Sequence, residues 1–317
     1  MSEAPALCRT PPRAVPLPQI PDALRAIWRT CGGDERSADG ADVARSLAIN
    51  FVGTAAAADE PMLRAAVERL QGRTPCRAFL LLVDDRAAQI GAEVSATTRL
   101  HGGTHDIVLE EITVRLPSAG FERLPGLVRP LLVNDLPNHL FWATAWPRQA
   151  HHFDDLAALC EHTVVDTRLF AAPALELGHL RARRDRGARV TDLNWLRLRP
   201  WRRALAEAYE RLPAAGGART EVRLLHGRAA LAATMLLGEW LEARLGARVV
   251  LDGGGTGTGP CPDRVVLRTA DAEIDLQAPD AQIVAHVSTA AHCFLPFQVP
   301  ASRGTDGDLL AAAIDLG

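Results

Sequence analysis

The sequence predicts an α/β chain, with a mixed α+β arrangement admitted, built as two domains that each carry a mixed sheet with helices packed on it. Three observations predict it. Strand-like apolar runs alternate with amphipathic segments of helix length along most of the chain. A charge-dense stretch near the middle, RARRDRGAR, interrupts that alternation. With 48% hydrophobic and 23% charged residues, 317 residues suffice for two ordinary hydrophobic cores.

Residues 1–34 read as a proline-rich arm with a short helix at Asp22–Thr30, of the kind that is often mobile or orders on a partner. Patterning then predicts a helix at Ala41–Ala48 and an apolar strand at Ile49–Ala55. The acidic residues and proline of Asp59-Glu60-Pro61 start a helix that runs to Gln71 before Gly72. Strands are expected at Arg77–Val83, Ile90–Leu100 and Ile107–Leu116, then a helix at Phe121–Leu132. A strand at Asn138–Ala145, a helix at Asp154–Cys160 and a short strand at Thr163–Asp166 complete an N-terminal domain of residues 35–180.

Arg181–Arg189 has no apolar face and reads as a helix end or a linker, which places a basic linker at 181–190. The C-terminal domain, 191–317, offers a helix at Pro200–Leu212, a strand at Glu221–Leu225 and a broadly apolar helix from Ala229 to Leu245 that stops at Gly246. Strands follow at Arg248–Leu251, Arg264–Arg268, Glu273–Leu276 and Ile283–Val287. The order strand, helix, three strands matches the opening of the first domain and suggests a diverged duplication.

Composition excludes several chemistries. All 35 basic residues are arginine, a pattern that GC-rich coding explains. Without lysine there is no Schiff base, no pyridoxal-phosphate anchor, and no P-loop or kinase ATP lysine. A net charge of −3 argues against a general nucleic-acid binder. No run approaches the ~20 apolar residues of a membrane span, and no signal peptide is recognisable. Six scattered cysteines without a C-x-x-C pair fit reduced thiols, so the expected address is cytoplasmic.

Candidate sites are few. Asp252-GGGTGTGPCP could cradle an anion, but its spacing is wrong for G-x-G-x-x-G and a strand follows, so it reads as a flexible hairpin loop. His151-His152-Phe153-Asp154-Asp155 holds potential ligands pointing in successive directions; a helix N-cap at Asp154 or Asp155 explains them better than a metal. No G-x-S-x-G or H-E-x-x-H is present. No cofactor and no metal are expected.

The tract Asp192–Arg203 is different: it packs two of the chain's six tryptophans and four arginines into twelve residues. Pro200 suits a first helical position, and Trp201, Ala204, Leu205, Ala208, Tyr209 and Leu212 then share one face. The other face carries Arg203, Glu207 and Arg211 at i,i+4 spacing. Because proline disfavours helix at Arg199, the preceding DLNWLRLR must be a separate turn or short helix. Tryptophan and arginine dominate interface hot spots, and a tryptophan plugging a domain join is the alternative.

The tract T-D-L-N-W-x-R-L-x-P-W-R resembles the signature of the glucose-6-phosphate dehydrogenase assembly protein family, OpcA. Further pieces are similar in the same order: Thr74-Pro75-Cys76-Arg77-Ala78, Glu110-Glu111-Ile112-Thr113, Pro130-Leu131-Leu132 with Asp135-Leu136-Pro137 and Phe141-Trp142, and Val165-Asp166-Thr167 with Phe170. The resemblance spans roughly residues 40 to 300. It departs from the pattern at Arg199, where a small capping residue is expected, and it lacks a close cysteine pair for the thiol regulation of photosynthetic relatives.

The resemblance implies a non-catalytic assembly factor or allosteric activator that binds glucose-6-phosphate dehydrogenase, with no cofactor, no nucleic-acid partner and no membrane partner. The candidate partner-binding residues are Asp192, Asn194, Trp195, Arg197, Trp201 and Arg202, with Arg183, Arg184 and Arg186 of the basic cluster. A sugar-phosphate-binding enzyme or sensor using those arginines is the alternative.

Overall fold

A computed structural model describes residues 7–31, 44–71, 73–101, 104–147, 149–212, 220–301 and 305–316. The chain divides into two compact units. The first comprises Met1–Val165, Arg184–Thr191 and Asp306–Gly317; the second comprises Asp166–Arg183 and Asp192–Thr305. The chain therefore crosses between units repeatedly, where the sequence reading places one basic linker at 181–190.

In the first unit the elements are β1 (Leu7–Arg9), β2 (Arg13–Val15), α1 (Ile20–Cys31), β3 (Ala44–Arg45), β4 (Ile49–Ala56), α2 (Glu60–Gln71), β5 (Cys76–Val83), β6 (Gly91–His101) and β7 (Thr104–Leu116). They continue with α3 (Leu124–Val128), β8 (Asn138–Ala143), α4 (Ala150–Ala157) and β9 (His162–Val165). The helix α5 (Pro173–Asp185) and the strand β10 (Arg189–Asp192) follow, each lying partly in either unit.

The sheet order is β1-β6-β7-β5-β4-β8-β9-β10, with β2 also on β6 and β3 on β7. The central strands β7, β5, β4, β8 and β9 are parallel. β4 and β5 are buried along nearly their whole length, as parallel strands covered on both faces must be. α2 presses so closely on β4 that a β-carbon at Gly53 would stand 2.7 Å from Leu63 Cδ1. Beyond α2 lies α9 (Asp306–Asp315), which returns from the far end of the chain and buries Leu310, Ala311 and Ile314.

The second unit runs through α6 (Leu193–Arg197), α7 (Arg199–Tyr209), β11 (Glu221–Leu225), α8 (Leu231–Leu245), β12 (Arg248–Asp252), β13 (Arg264–Arg268), β14 (Ala272–Gln277), β15 (Gln282–Thr289) and β16 (Phe297–Pro300). Its sheet order is β12-β11-β13-β14-β15-β16, antiparallel apart from β11–β12. Strict alternation buries Val222 and Leu224, Val265 and Leu267, Ile274 and Leu276 on one face. α7 packs on β14, β15 and β16 through Trp201, Ala204, Leu205 and Ala208, the predicted face. α8 stops at Gly246, whose φ of 59° is the left-handed cap that glycine adopts without strain.

Several expectations are corrected. Residues 7–31 are not a free arm: β1 and β2 pair with β6, and α1 buries Ile20, Leu24 and Ile27. The rest of that arm, and residues 41–43 of the expected helix at Ala41–Ala48, lie outside the described residues. The described part of that helix is instead extended beside β7, because pairing in the sheet overrides a modest helical preference.

The expected helix at Phe121–Leu132 is cut into a 3-10 turn, the short α3 and a second 3-10 turn, since Pro125 and Pro130 each lack an amide donor. α4 begins at Ala150, so Asp154 and Asp155 sit inside it and Gln149 is its N-cap, without a side-chain hydrogen bond. Of the two readings of Arg181–Arg189, Arg181 to Asp185 take the helix end, forming the last turn of α5. The two sheets also differ in order. β13 pairs with β11, whereas β7 pairs with β5, so the suggested duplication is not reflected in the topology.

Candidate functional site

Two sequence tracts, Asp166-Thr167 and Asp192–Arg197, interlock inside the second unit. Asp192 N-caps the short helix α6: its Oδ1 accepts the Asn194 N–H at 2.9 Å. The same carboxylate accepts the Thr167 hydroxyl, 2.8 Å from Oδ2, and the Asn194 amide donates to Thr167 Oγ1 at 3.0 Å. Arg197, one turn along α6, closes the circuit. Its Nη1 and Nη2 donate to Asp166 Oδ1 and Oδ2 at 2.7 and 2.8 Å, and Nη1 also reaches Asn194 Oδ1 at 2.8 Å. Arg168 adds a further bond to Asp166 Oδ2 at 3.0 Å.

Arg168 is part-exposed at the edge, but the rest is buried; Asp166, Thr167, Asp192 and Asn194 are at most 1% exposed. A buried carboxylate without such partners would be neutralised or expelled, and here the two carboxylates divide the available donors. Burial pushes the Asp192 carboxyl up to about 6. Its hydrogen bonds from Thr167 and Asn194 counter part of that rise, and the nearby Asp166 adds to it.

The separate short helix before Pro200 is present as expected. The candidate partner-binding residues, however, separate into two groups. Asp192, Asn194, Arg197 and Trp201 are interior and hold the tract in shape. Trp195 and Arg202 are half-buried and form the outward part of the tract. The Arg202 guanidinium carbon stands 3.6 Å over the Trp195 ring, and Nη2 donates to the Trp195 carbonyl at 3.1 Å. Burial, and then Arg199, pull the Arg202 guanidinium below its ordinary value. Arg199 and Arg203 beside this pair are exposed.

On α5, Arg183 is half-buried and Arg184 is exposed, with Arg184 Nε donating to the Val190 carbonyl at 3.3 Å; Arg186, exposed, lies in the turn just after the helix. Asp166 and Thr167 are the residues that sequence reasoning left without a role, although the V-D-T piece signals them.

The other motif pieces are spent in the same way. Arg77 of T-P-C-R-A donates to Glu110 Oε2 from Nε at 2.7 Å, and from Nη1 to the Leu131 carbonyl at 2.5 Å. Glu111 takes Arg9 at 3.0 Å and also Arg64. The Asn50 side chain clamps Val133, donating from Nδ2 to the Val133 carbonyl at 2.8 Å and accepting the Val133 N–H on Oδ1 at 3.0 Å. Burial pushes the thiols of Cys76 and Cys160 up to about 12 and that of Cys261 to about 11, so these three are protonated at neutral pH.

In an open α/β sheet the ligand crevice lies at the carboxyl ends of the strands, where the order reverses. That point here is β4/β8, and the turn leaving β4 reads Ala56-Ala57-Ala58-Asp59-Glu60-Pro61. Glu60 sits at the N-terminus of α2, bonded to Arg64 at 2.8 Å and to Arg115 at 2.6 Å. Burial pushes Glu60 up, yet the bonds from Arg115 and Arg64 outweigh it and hold the carboxyl below its usual range. A carboxylate paired with two guanidinium groups therefore stands at the first turn of α2, after the strand that leads to this crevice.

The glycine-rich segment after β12 is no hairpin either, because β12 and β13 flank β11 on opposite sides. It is packed onto His226-Gly227: the Gly255 N–H donates to the His226 carbonyl at 3.2 Å. A β-carbon at Gly227 would fall 1.9 Å from the Gly257 carbonyl oxygen.

These features define a two-domain α/β protein whose distinctive motifs are committed to internal ion pairs and caps. The chain belongs to the OpcA family. The domain family described as the glucose-6-phosphate dehydrogenase subunit N-terminal domain matches residues 67–182, and its C-terminal counterpart matches residues 188–316. Among curated proteins, it is 32% identical over 141 residues to the OxPP cycle protein OpcA of Nostoc punctiforme, covering 44% of this chain and 30% of that one. To the Synechocystis protein of the same name it is 30% identical over 149 residues, 45% of this chain and 31% of the relative. The matched segment thus spans less than a third of each relative's length.

Among solved structures, the chain is similar to a 3-ketoreductase of Actinomadura kijaniata in complex with NADP and TDP-benzene, at 13% identity and a TM-score of 0.48, covering 84% of this chain and 88% of that one. A levoglucosan dehydrogenase in complex with NADH and L-sorbose matches at 9% identity, a TM-score of 0.48 and the same coverage. Likenesses this distant carry no function. Among the described residues, no helix is long and apolar enough to cross a membrane.

Proposed function

We propose that this chain is a non-catalytic partner of glucose-6-phosphate dehydrogenase that binds the enzyme and favours its assembled, active state. The observation that carries this reading is that both halves of the chain match domains described as parts of that dehydrogenase's subunit. The site supports it: the motif residues are spent on holding α6, and what they present outward is a stacked Trp195–Arg202 pair flanked by Arg199 and Arg203. An aromatic anchor under a guanidinium is a common form of interface hot spot.

In this reading Trp195 and Arg202 touch the partner, while Asp192, Asn194, Arg197 and Trp201 position them. Arg183, Arg184 and Arg186 belong to a separate basic stretch, whose exposed members Arg184 and Arg186 would meet an acidic surface. An activator must bind the active state of the enzyme more tightly than the inactive one, and a coupling of about 1–3 kcal/mol is typical.

The test is co-purification with the cognate dehydrogenase, together with its activity against substrate concentration. A stable complex and a raised turnover or lowered KM are expected. A dehydrogenase that neither binds the chain nor changes its kinetics overturns the proposal.

A further inference from the structure

The first unit holds a cavity of about 370 Å³ at the opposite edge of its sheet, where the parallel strands begin. His139 of β8, His162 of β9 and Arg189 of β10 line it, with Thr74, Glu161 and Asp315. The two histidines are buried, 5% and 2% exposed, and their rings meet edge to face with Nδ1 atoms 3.3 Å apart. His162 Nε2 lies 2.9 Å from Thr191 Oγ1. Three of the four imidazole nitrogens are thus engaged. The fourth, Nε2 of His139, has no partner among the described residues.

The charged groups decide what the cavity can hold. Both carboxylates are already committed: Glu161 accepts the Asn138 N–H at 2.5 Å, and Asp315 accepts Arg73 at 2.7 Å. Arg189, by contrast, has no hydrogen bond or ion pair among the described residues. Burial lowers the pKa of both histidines; at His139 Glu161 counters part of that fall and Arg189 adds to it, whereas His162, pressed by His139 and then Arg189, falls to about 4. Both rings are neutral at neutral pH, so the unspent groups are one fixed cation and one neutral ring nitrogen. The Glu161 carboxylate lies beside them and balances Arg189 rather than making a metal site, since no group of three ligating side chains exists among the described residues.

A neutral pair can hold its protons in either of two registers. If His162 donates to Thr191, then His139 donates through Nδ1 and turns a lone pair outward. If the Thr191 hydroxyl donates to His162, both ring protons shift along and His139 presents Nε2–H outward. An anion beside Arg189 selects the second register. We propose that this cavity binds a small oxyanion, a phosphate ester or carboxylate of metabolite size, held by the Arg189 guanidinium and the His139 Nε2–H. The volume is at the small end for a ligand pocket and excludes a dinucleotide.

Titration with inorganic phosphate and, separately, with citrate tests this, followed by calorimetry and by the nitrogen resonances of the imidazoles. The expected result is one saturable event that moves His139 Nε2 to the protonated-nitrogen position. Arg189→Ala should weaken it about ten-fold or more, the loss of a charge-assisted hydrogen bond. Arg186→Ala, on the neighbouring turn, should leave it unchanged, and Thr191→Val should weaken it while the chain stays folded. The proposal is overturned if neither probe saturates, if Arg189→Ala binds like the parent, or if Arg186→Ala loses as much as Arg189→Ala. None of these outcomes depends on the dehydrogenase.

Discussion

The guanidinium of Arg197 meets the carboxylate of Asp166 edge to edge, with both nitrogen–oxygen contacts between 2.7 and 2.8 Å and both groups buried. Removing Arg197 leaves the buried Asp166 carboxylate with the part-exposed Arg168 as its remaining counter-charge. Arg197→Met is therefore expected to destabilise the second unit toward the lower end of the about 3–5 kcal/mol typical of a broken buried pair, read from the denaturant midpoint. Asp166→Asn combined with Arg197→Met should recover much of that loss. Equal stability of the single and double variants would contradict this account.

Asp192 gives a pH signature. Its carboxyl titrates near 6 when folded, above its ordinary 3.8, so folding favours the protonated form. Its contribution is fully present below pH 3.8 and is lost as pH rises through 6, a span of roughly 3 kcal/mol at most. His162 acts with the opposite sign: its folded value of about 4 lies below the ordinary 6.5, so its contribution is lost as pH falls. The comparison must therefore be variant against parent. Asp192→Asn, which keeps a capping oxygen, should gain stability relative to the parent between pH 4 and 7, and a pH-independent difference would refute the assignment.

Trp195→Ala and Arg202→Ala remove the outward pair without touching the buried circuit. Each should leave the thermal midpoint within a few degrees of the parent. On the proposed function, each should weaken dehydrogenase binding by about 30-fold, the scale of a hot-spot residue. Arg203→Ala, at the rim, should cost far less. Titrations of the dehydrogenase with each variant decide the matter.

Gly227 and Gly126 offer a contrast. An alanine β-carbon at 227 would collide with the Gly257 carbonyl, whereas nothing stands within 4 Å at 126, inside α3. Gly227→Ala should destabilise by roughly 1–3 kcal/mol as the loop is forced outward. Gly126→Ala should be neutral or stabilising by about 0.5–1 kcal/mol. Calorimetric melting of the two variants provides the check.

Much of this architecture is legible in the sequence where the signal is local. The continuous apolar runs of β4 and β5 announce strands buried on both faces, and Pro200 separates α6 from α7. The alternation along β11 to β15 gives the second sheet. What stays hidden is pairing across distance. Strands as short as β1 and β2, set among prolines, carry no periodicity, and only β6 makes them strands. α4 begins before its acidic residues because Phe153 must reach the core, packing on Trp142 and Trp146.

In the tract itself, residue types suggest an exposed hot spot, whereas the fold buries most of it. Arg197 finds its counter-charge 31 positions upstream, in a strand-to-helix turn that no periodicity marks. The V-D-T and D-L-N-W pieces resemble one family signature; their contact is a property of the fold.

One feature of the first unit bears on how the chain is made. α9 lies over α2, with Asp308 3.4 Å from Arg69 and Asp315 2.7 Å from Arg73. α9 also touches β9, so the groove it fills is complete once residue 165 has been synthesised, yet its occupant is translated only from residue 306 onward. While the ribosome makes everything between, the nascent first unit carries an uncovered apolar seam. The segment that seals it, α9, is made after all the residues of the second unit. The residues of the second unit are thus all made while the first still waits for its cover, the reverse of a strictly vectorial order.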